Sequence, residues 1–140
     1  MTSLRGVTAD LLTSAGAEFL AERHLATLST MGPTGAIHVV AVGFTVDDGI
    51  VRVITSDGSQ KVRNIERDAR ATVAQVAGPQ WISIAGRASI ERDPAAVARA
   101  ERLYAQRYRP PRVNPRRVVI RLEPDTVMGS AGLFRPAGAD

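Results

Sequence analysis

The chain has 140 residues, of which 44% are apolar and 23% are charged, a composition typical of one soluble globular domain. It contains no cysteine, so disulfide scaffolds, zinc ribbons and thiol nucleophiles are excluded. Eighteen basic residues against 14 acidic ones give a formal net charge of +4, and only Lys61 among the basic residues is a lysine. A GC-rich genome could also produce this excess of arginine, so the charge balance alone indicates no mechanism.

Membrane-spanning and exported classes are not indicated. The longest nearly apolar run, residues 37–46, is far shorter than the ~18 residues that a spanning helix needs. The N-terminus has no basic stretch followed by an apolar stretch and a cleavage site, so no signal peptide is expected. We therefore expect a cytoplasmic protein.

Hydrophobic periodicity predicts three helices. The first is expected after an N-cap at Thr8, and the second over residues 62–67. The third opens at Asp93 and Pro94 and ends near Tyr108, because two prolines follow shortly after.

Strand periodicity dominates the rest of the chain. Strands are predicted over residues 25–30, 37–46, 50–55, 71–76, 81–92 and 116–122, with 126–130 extending the sheet. The predicted strands and helices do not alternate along the chain, so a parallel sheet is not indicated. The pattern favours a small antiparallel barrel with peripheral helices, mainly β, in a single domain over residues 1–140, with residues 1–7 and 133–140 as loose termini.

One face of the second strand carries small residues. Val39, Ala41, Gly43 and Thr45 alternate along it, and a glycine within a strand often marks a close approach or a bend. Two explanations are open here. Either a flat ligand or another backbone lies against this face, or the strand bends at a corner of the barrel.

No self-sufficient catalytic set is present in the sequence. His24 and His38 are not at metal-ligand spacing, and no metal motif, catalytic triad or carboxylate pair is found. His38, on a strand, is either a proton donor or a packed structural residue, and the packed role is the commoner one. The sequence assigns no catalytic residue and predicts no metal.

Residues 55–64, TSDGSQKVRN, have the parts of an anion site. A glycine-containing loop leaves a strand and places hydroxyls and backbone N–H groups at a helix N-terminus, with Lys61 in the first turn. A lysine there is unfavourable for the helix dipole unless an anion binds. The alternative is an ordinary loop with a solvated lysine, but the convergence of donors favours a phosphate site.

A second basic cluster spans residues 99–121, which contain eight arginines and one acid, Glu101. Such a cluster binds nucleic acid, an acidic cofactor tail or substrate carboxylates, or it is simply a solvated face. Only six aromatic residues are present in the chain, and no strand alternates them as RNA-binding sheets do. Nucleic acid is therefore the least favoured of these partners.

At the level of whole segments, the sequence resembles the split-barrel flavin and deazaflavin proteins grouped with pyridoxamine 5'-phosphate oxidase. The segments that carry the resemblance are the strand HVVAVGF over 38–44, the SQK of 59–61, the QW of 80–81 and the NPRRVVI of 114–120. Within that superfamily it is most similar to the F420-dependent oxidoreductases of the B class, particularly those that reduce biliverdin. The chain lacks the C-terminal tryptophan and arginine elements of true pyridoxamine phosphate oxidases, so vitamin B6 oxidation is not expected.

The resemblance implies a homodimer of six-stranded antiparallel split β-barrels with cofactor sites at the interface, and no membrane partner. It implies that reduced coenzyme F420 transfers a hydride to biliverdin, giving bilirubin, or to a similar conjugated substrate. It also implies that the second strand presents its backbone to the cofactor ring and that the SQK segment holds the phosphate. The cofactor-binding residues so implied are His38, Val39, Val40, Ala41, Val42, Ile54, Thr55, Ser59, Gln60, Lys61, Asn64, Gln80, Trp81 and Arg116.

The arginine cluster supplies the candidates for binding substrate carboxylates, because arginine binds carboxylates in bidentate fashion. These candidates are Arg107, Arg109, Arg112 and Arg117. Two other functions stay open: an FMN-binding oxidoreductase of the same fold, and a non-catalytic protein that binds flavin, tetrapyrroles or nucleic acid.

Overall fold

In the computed structural model, residues 12–135 are described and form three helices and seven strands. The helices are α1 (Ser14–Ala21), α2 (Gln60–Arg67) and α3 (Pro94–Arg107). The strands are β1 (Ala26–Met31), β2 (Ile37–Val42), β3 (Thr45–Asp47), β4 (Ile50–Ser56), β5 (Arg70–Ala77), β6 (Gln80–Glu91) and β7 (Arg117–Gly129). No helix among these residues is long and apolar enough to cross a membrane.

All seven strands belong to one antiparallel sheet with the order β2-β1-β5-β6-β7-β4-β3. The two edge strands, β2 and β3, are separated in the chain by only Gly43 and Phe44. The sheet must therefore curl until its two edges nearly meet, which is the closure of a barrel. The mainly β fold with peripheral helices is confirmed.

The strand count differs from the predicted six because the run 37–46 is not one strand. It breaks at Gly43 and Phe44, and its two halves pair with opposite edges of the sheet: β2 with β1, and β3 with β4. Continuous apolar character in the sequence concealed the break. The bend explanation for the mid-strand glycine is thus the one that the backbone shows.

The last strand is longer than expected. β7 runs through Pro124 without interruption and joins the two predicted segments. Its pairing with β6 shifts register between Ala85 and Gly86, which accommodates the proline. A Cβ at Gly86 would collide with the carbonyl oxygen of Glu123, so a residue without a side chain is needed at this crossing.

Both ends of the described chain differ from the prediction. The predicted cap Thr8 lies outside the described residues; the helix that is described begins at Ser14, with Thr13 as its N-cap accepting a hydrogen bond from the Gly16 amide. Leu12, expected within the first helix, instead pairs with Phe134 in a β-bridge. The loose C-terminal tail was predicted to begin at residue 133, but Leu133 is fully buried in the core, so packing continues further along the chain.

Alternating inward residues fill the barrel. Phe44, Leu28, Ile82, Val51 and Ile120 are among the side chains with 2% or less of their surface exposed. Each fully buried aliphatic side chain contributes about 1.5–3 kcal/mol to folding. This core holds the ends of β2, β4 and β7 in fixed positions, and it is at those ends that a cavity opens.

Candidate cofactor and substrate site

A cavity of about 360 Å³ opens where three strand ends meet the helices α2 and α3. Its volume lies at the lower end of the range usual for small-molecule sites. The residues that line it are Ala41, Val42, Gly43, Ile54, Thr55, Ser56, Lys61, Tyr104, Arg109, Pro110, Pro111, Arg112, Asn114 and Arg117. Four of these are cations and none is acidic, so the cavity attracts anions.

The backbone of β2 forms one side of the cavity, and aromatic rings pack against its end. A Cβ at Gly43 would lie 3.1 Å from ring carbons of both Tyr104 and Tyr108. The rings of these two tyrosines are 4.8 Å apart and tilted by 31°. Gly43 therefore serves two purposes: the chain bends at this position, and the tyrosines of α3 reach the backbone there.

Lys61 lies in the first turn of α2 and reaches the cavity, as the anion-site prediction requires. Burial lowers the pKa of its ammonium group from the ordinary value. Within residues 12–135 no acid or hydrogen-bond acceptor pairs with it. A half-buried ammonium without a partner is costly, and a bound anion would remove that cost.

Ser59, at the start of the same helix, also indicates a site for an anion. It occupies the N-cap position of α2, yet its side chain does not cap the helix. Its hydroxyl oxygen is buried and has no hydrogen-bond partner among the described residues. The helix N-terminus thus has an unused hydroxyl beside unsatisfied backbone N–H groups, which fits a phosphate group.

Three of the arginines predicted to bind substrate line this same cavity: Arg109, Arg112 and Arg117. The first two flank Pro110 and Pro111, which limit the conformations of the backbone that carries them. Arg117 is only 9% exposed and donates to Glu101 across a 2.6 Å ion pair. We call Lys61, Arg109, Arg112 and Arg117 the cationic wall.

Asn114 holds the arginine segment in place, and the sequence analysis did not select it. Its amide donates to the Ser56 hydroxyl at 2.8 Å, and its oxygen accepts from the Arg116 backbone at 3.0 Å. The segment between α3 and β7 is thereby tied to the end of β4. The NPRR stretch was the available signal, since an asparagine before a proline commonly forms such local bonds.

Arg107, the fourth arginine predicted to bind substrate, makes hydrogen bonds within the protein. Its guanidinium donates to the backbone oxygens of Glu22 and Phe44 and to the Gln75 side chain, at 2.5–2.9 Å. Burial lowers its pKa from the ordinary value. Its donors have acceptors within the protein and it does not line this cavity, so the structure does not bring Arg107 together with the other three arginines predicted to bind substrate.

Tyr108 completes the structure around Arg107. Its hydroxyl donates to the His24 carbonyl at 2.7 Å and accepts from the Phe44 amide at 3.1 Å. Burial raises the pKa of this phenol. We call Arg107, Tyr108 and Gln75 the α3 clamp, because they fasten the end of α3 to the break between β2 and β3.

Asn64 and Gln60, both predicted to contact the cofactor, are also engaged internally. The fully buried Asn64 donates to the Thr30 hydroxyl and accepts from Gln60 and Arg67. The Gln60 oxygen accepts from Arg63. These side chains fix α2 against β1, so their contribution to a ligand site is to position Lys61.

Several other predicted contacts lie away from the cavity. Arg116 donates to the Asp57 carbonyl, and Gln80 and Trp81 lie at the start of β6, three strands from β2. His38, Val39 and Val40 precede the part of β2 that lines the cavity. The buried Nδ1 of His38 has no hydrogen-bond partner among residues 12–135.

Next to β2, two adjacent rows of side chains on the outer face of the sheet carry no charge, and we call these rows the uncharged face. Antiparallel partners point to the same side, and two rows of them cross five strands: Val39, Ser29, Thr72, Ala85 and Thr126, then Ala41, Thr27, Ala74, Ser83 and Met128. Val76 and Trp81 extend this surface and are exposed. Ala41 belongs both to this uncharged face and to the cavity.

The chain is similar to known proteins over most of its length. The family model for pyridoxamine 5'-phosphate oxidase matches residues 12–130. An F420H(2)-dependent biliverdin reductase of Mycobacterium tuberculosis (strain CDC 1551 / Oshkosh) is 53% identical over 118 residues, which cover 83% of this chain and 86% of that protein.

Solved structures show the same fold. A conserved hypothetical protein of Mycobacterium tuberculosis superposes with a TM-score of 0.75 at 28% identity, covering 86% of each chain. HutZ, the heme storage protein of Vibrio cholerae, superposes with a TM-score of 0.70 at 17% identity, covering 88% of this chain and 94% of its own. On the family match and the 53% identity, this chain belongs to the pyridoxamine 5'-phosphate oxidase family.

Proposed function

We propose that this protein is an oxidoreductase that uses reduced coenzyme F420 to reduce biliverdin to bilirubin. The observation that carries the proposal is the 53% identity, over most of both chains, to a protein named for that activity. The cavity supports it independently, because a phosphate-bearing cofactor and a dicarboxylate substrate are both anions and the cavity wall carries four cations.

The residues present fit such a cofactor. Lys61 would hold its phosphate together with the unused Ser59 hydroxyl, and the β2 backbone at residues 41–43 would lie beside its ring. When bound, the cofactor supplies the hydride. The protein supplies orientation, through a rigid barrel edge, and charge, through the cationic wall.

The arginines of the wall fit substrate carboxylates. Arg109 and Arg112 have exposed guanidinium groups on a proline-stiffened segment at the cavity rim. A donor held in place in this way loses less conformational entropy when it binds a carboxylate. Arg117 is already neutralised by Glu101, so it contributes directed N–H groups more than net charge.

A cytoplasmic homodimer is part of the proposal. The uncharged face spans five strands and includes exposed Val39, Val76, Trp81 and Met128, the kind of surface that a second chain covers. Because Ala41 joins this face to the cavity, a partner on the face would enclose the cavity further. The remaining surface of a large cofactor would then lie between the two chains.

FMN is the second candidate cofactor, favoured by the family match itself. A lysine and a helix N-terminus bind the phosphate of either cofactor, so the wall does not distinguish them.

The two cofactors are separated by titrating the purified protein with FMN and with F420, followed by turnover of reduced F420 with biliverdin. We expect F420 binding and the appearance of bilirubin absorbance, at a rate dependent on both components. Tight FMN binding without F420 affinity would contradict the proposal. Measuring the mass of the protein in solution, with and without F420, tests the dimer.

A further inference from the structure

The proposed reduction needs a proton as well as a hydride, and few groups on the cavity surface can release one. The guanidinium groups of Arg109, Arg112 and Arg117 keep their protons in proteins. The aliphatic hydroxyls of Thr55 and Ser56 are much weaker acids than a phenol. The remaining groups on the surface are the Lys61 ammonium, which the proposed function assigns to the phosphate, and the Tyr104 phenol.

Tyr104 is held firmly at the place where the cofactor ring is expected. Its Cε2 lies 3.1 Å from where a Gly43 Cβ would be, so the ring edge rests on the end of the β2 segment that lines the cavity. Its other neighbour is the Tyr108 ring, 4.8 Å away. Tyr108 is itself fixed by hydrogen bonds to the His24 and Phe44 backbones, so the Tyr104 ring packs against a rigid support.

The hydroxyl of Tyr104 is free where that of Tyr108 is not. Tyr108 makes hydrogen bonds with two backbone segments, which occupy its hydroxyl completely. Within residues 12–135, the Tyr104 hydroxyl has no hydrogen-bond partner, although its ring lines the cavity. A half-buried phenol that packs through its ring and leaves its hydroxyl unused is available to a ligand.

We propose that Tyr104 is the proton donor of the reaction, an inference that rests on the proposed function. The hydride forms the new C–H bond at the central methine carbon of the substrate, and the electron pair of the broken C=C bond moves onto a pyrrole nitrogen. That nitrogen takes the proton of the Tyr104 O–H group. Water reprotonates the Tyr104 phenolate. When bound, the reduced cofactor would supply the hydride to the substrate and release one proton to solvent, which balances the proton that the phenolate takes up.

The first test compares Tyr104→Phe with the wild-type enzyme in biliverdin turnover. A positioned general acid contributes typically ~10²-fold or more to the rate, so we expect kcat to fall by about that factor. The KM for reduced F420 should stay within about threefold, because the phenylalanine ring keeps the packing on Gly43. Tyr108→Phe is the matched control, because it removes the neighbouring hydroxyl. Its main effect should be a lower melting temperature and not a lower kcat.

The second test does not depend on turnover. The chain has two tyrosines, so protein labelled with 3-fluorotyrosine gives two ¹⁹F resonances, assigned with the two phenylalanine variants. Biliverdin added with oxidised F420 should shift the Tyr104 resonance and leave that of Tyr108 nearly unchanged.

A Tyr104→Phe enzyme with wild-type kcat, or a Tyr104 resonance that ignores the ligands, overturns the inference while leaving the proposed function standing. A wild-type protein that does not reduce biliverdin overturns both.

Discussion

The α3 clamp and the cationic wall meet in sequence at the end of α3, where Arg107 of the clamp and Arg109 of the wall are two residues apart. The two groups use the same kinds of side chain in opposite ways. In the clamp, Arg107 directs its donors to three acceptors inside the protein. In the wall, Arg109, two residues later, lies at an exposed position beside the cavity. Tyr108 and Tyr104, one helical turn apart, show the same contrast in their hydroxyl groups.

The difference teaches how a structural cation is distinguished from one available to a ligand. Charge and residue type do not separate the two groups, although only the residues of the wall line the cavity. The distinguishing observation is whether the donor groups already have acceptors within the protein, because buried donors require partners and the protein or a ligand must supply them. Substitutions in the clamp should therefore lower stability, and substitutions in the wall should weaken ligand binding.

The largest effect is expected from Arg107→Ala. The substitution leaves the buried Gln75 side-chain oxygen without its donor and removes one hydrogen bond each from the Phe44 and Glu22 carbonyls, and unsatisfied buried groups are costly. We expect the free energy of unfolding to fall by about 3 kcal/mol, measured by urea denaturation. Arg109→Ala is the matched control and should leave the unfolding midpoint nearly unchanged. Equal losses in the two variants would show that the clamp is not specifically structural.

Lys61→Ala should produce the largest effect on ligand binding. Removing the ammonium deletes a charge-assisted hydrogen bond to the phosphate, which costs on the order of 1.5–3 kcal/mol of binding free energy. The dissociation constant for F420, measured by fluorescence titration, should therefore rise about tenfold or more. Arg63→Ala, also on α2 but exposed and not part of the cavity wall, should bind normally. An unchanged affinity of Lys61→Ala for F420 would contradict the proposal that Lys61 binds the phosphate.

Lys61 and Arg107 also show what can be predicted from the sequence and what cannot. Lys61 was found from its loop because the signal is local: a strand end, a glycine turn and a helix start within ten residues. The internal hydrogen bonds of Arg107 were not predicted, because its acceptors are the residue after α1, a residue of β5 and the residue after Gly43, all distant in sequence. Periodicity carries no information about such acceptors.

The fold shows the same limit. Strand positions followed from alternation, which is a local property, and the helix N-cap at Asp93 was placed correctly for the same reason. The division of residues 37–46 between the two edges of the sheet depends on barrel closure, which is a global property. Tyr104 lies within the arginine-rich residues 99–121, but nothing in the neighbouring sequence indicates that its hydroxyl is free.

Asp93→Ala changes the N-terminal end of α3, the helix that carries Tyr104 and Arg107. It tests whether that end affects the cavity. The Asp93 carboxylate accepts a hydrogen bond from the Ala96 amide and caps the helix, so its loss should cost about 1 kcal/mol of stability. Ligand affinity should not change, because the clamp still fixes the C-terminal end of the helix. A large loss of affinity would show that the clamp does not isolate the cavity from the rest of the helix.

The smallest expected effect is a pH dependence of binding that belongs to the wall alone. Burial lowers the pKa of Lys61 in the free protein, and an anion binds its protonated form. Affinity for F420 should therefore be constant at low pH and weaken as pH rises through that lowered pKa, by at most tenfold per pH unit. Lys61→Arg keeps the charge and does not titrate, so its affinity should stay level over the pH range in which the wild-type affinity falls. A wild-type affinity that stays level through the ordinary lysine pKa of about 10.4 would mean that the ammonium does not contact the anion. The distinction between free and engaged cations would then have to rest on the arginines.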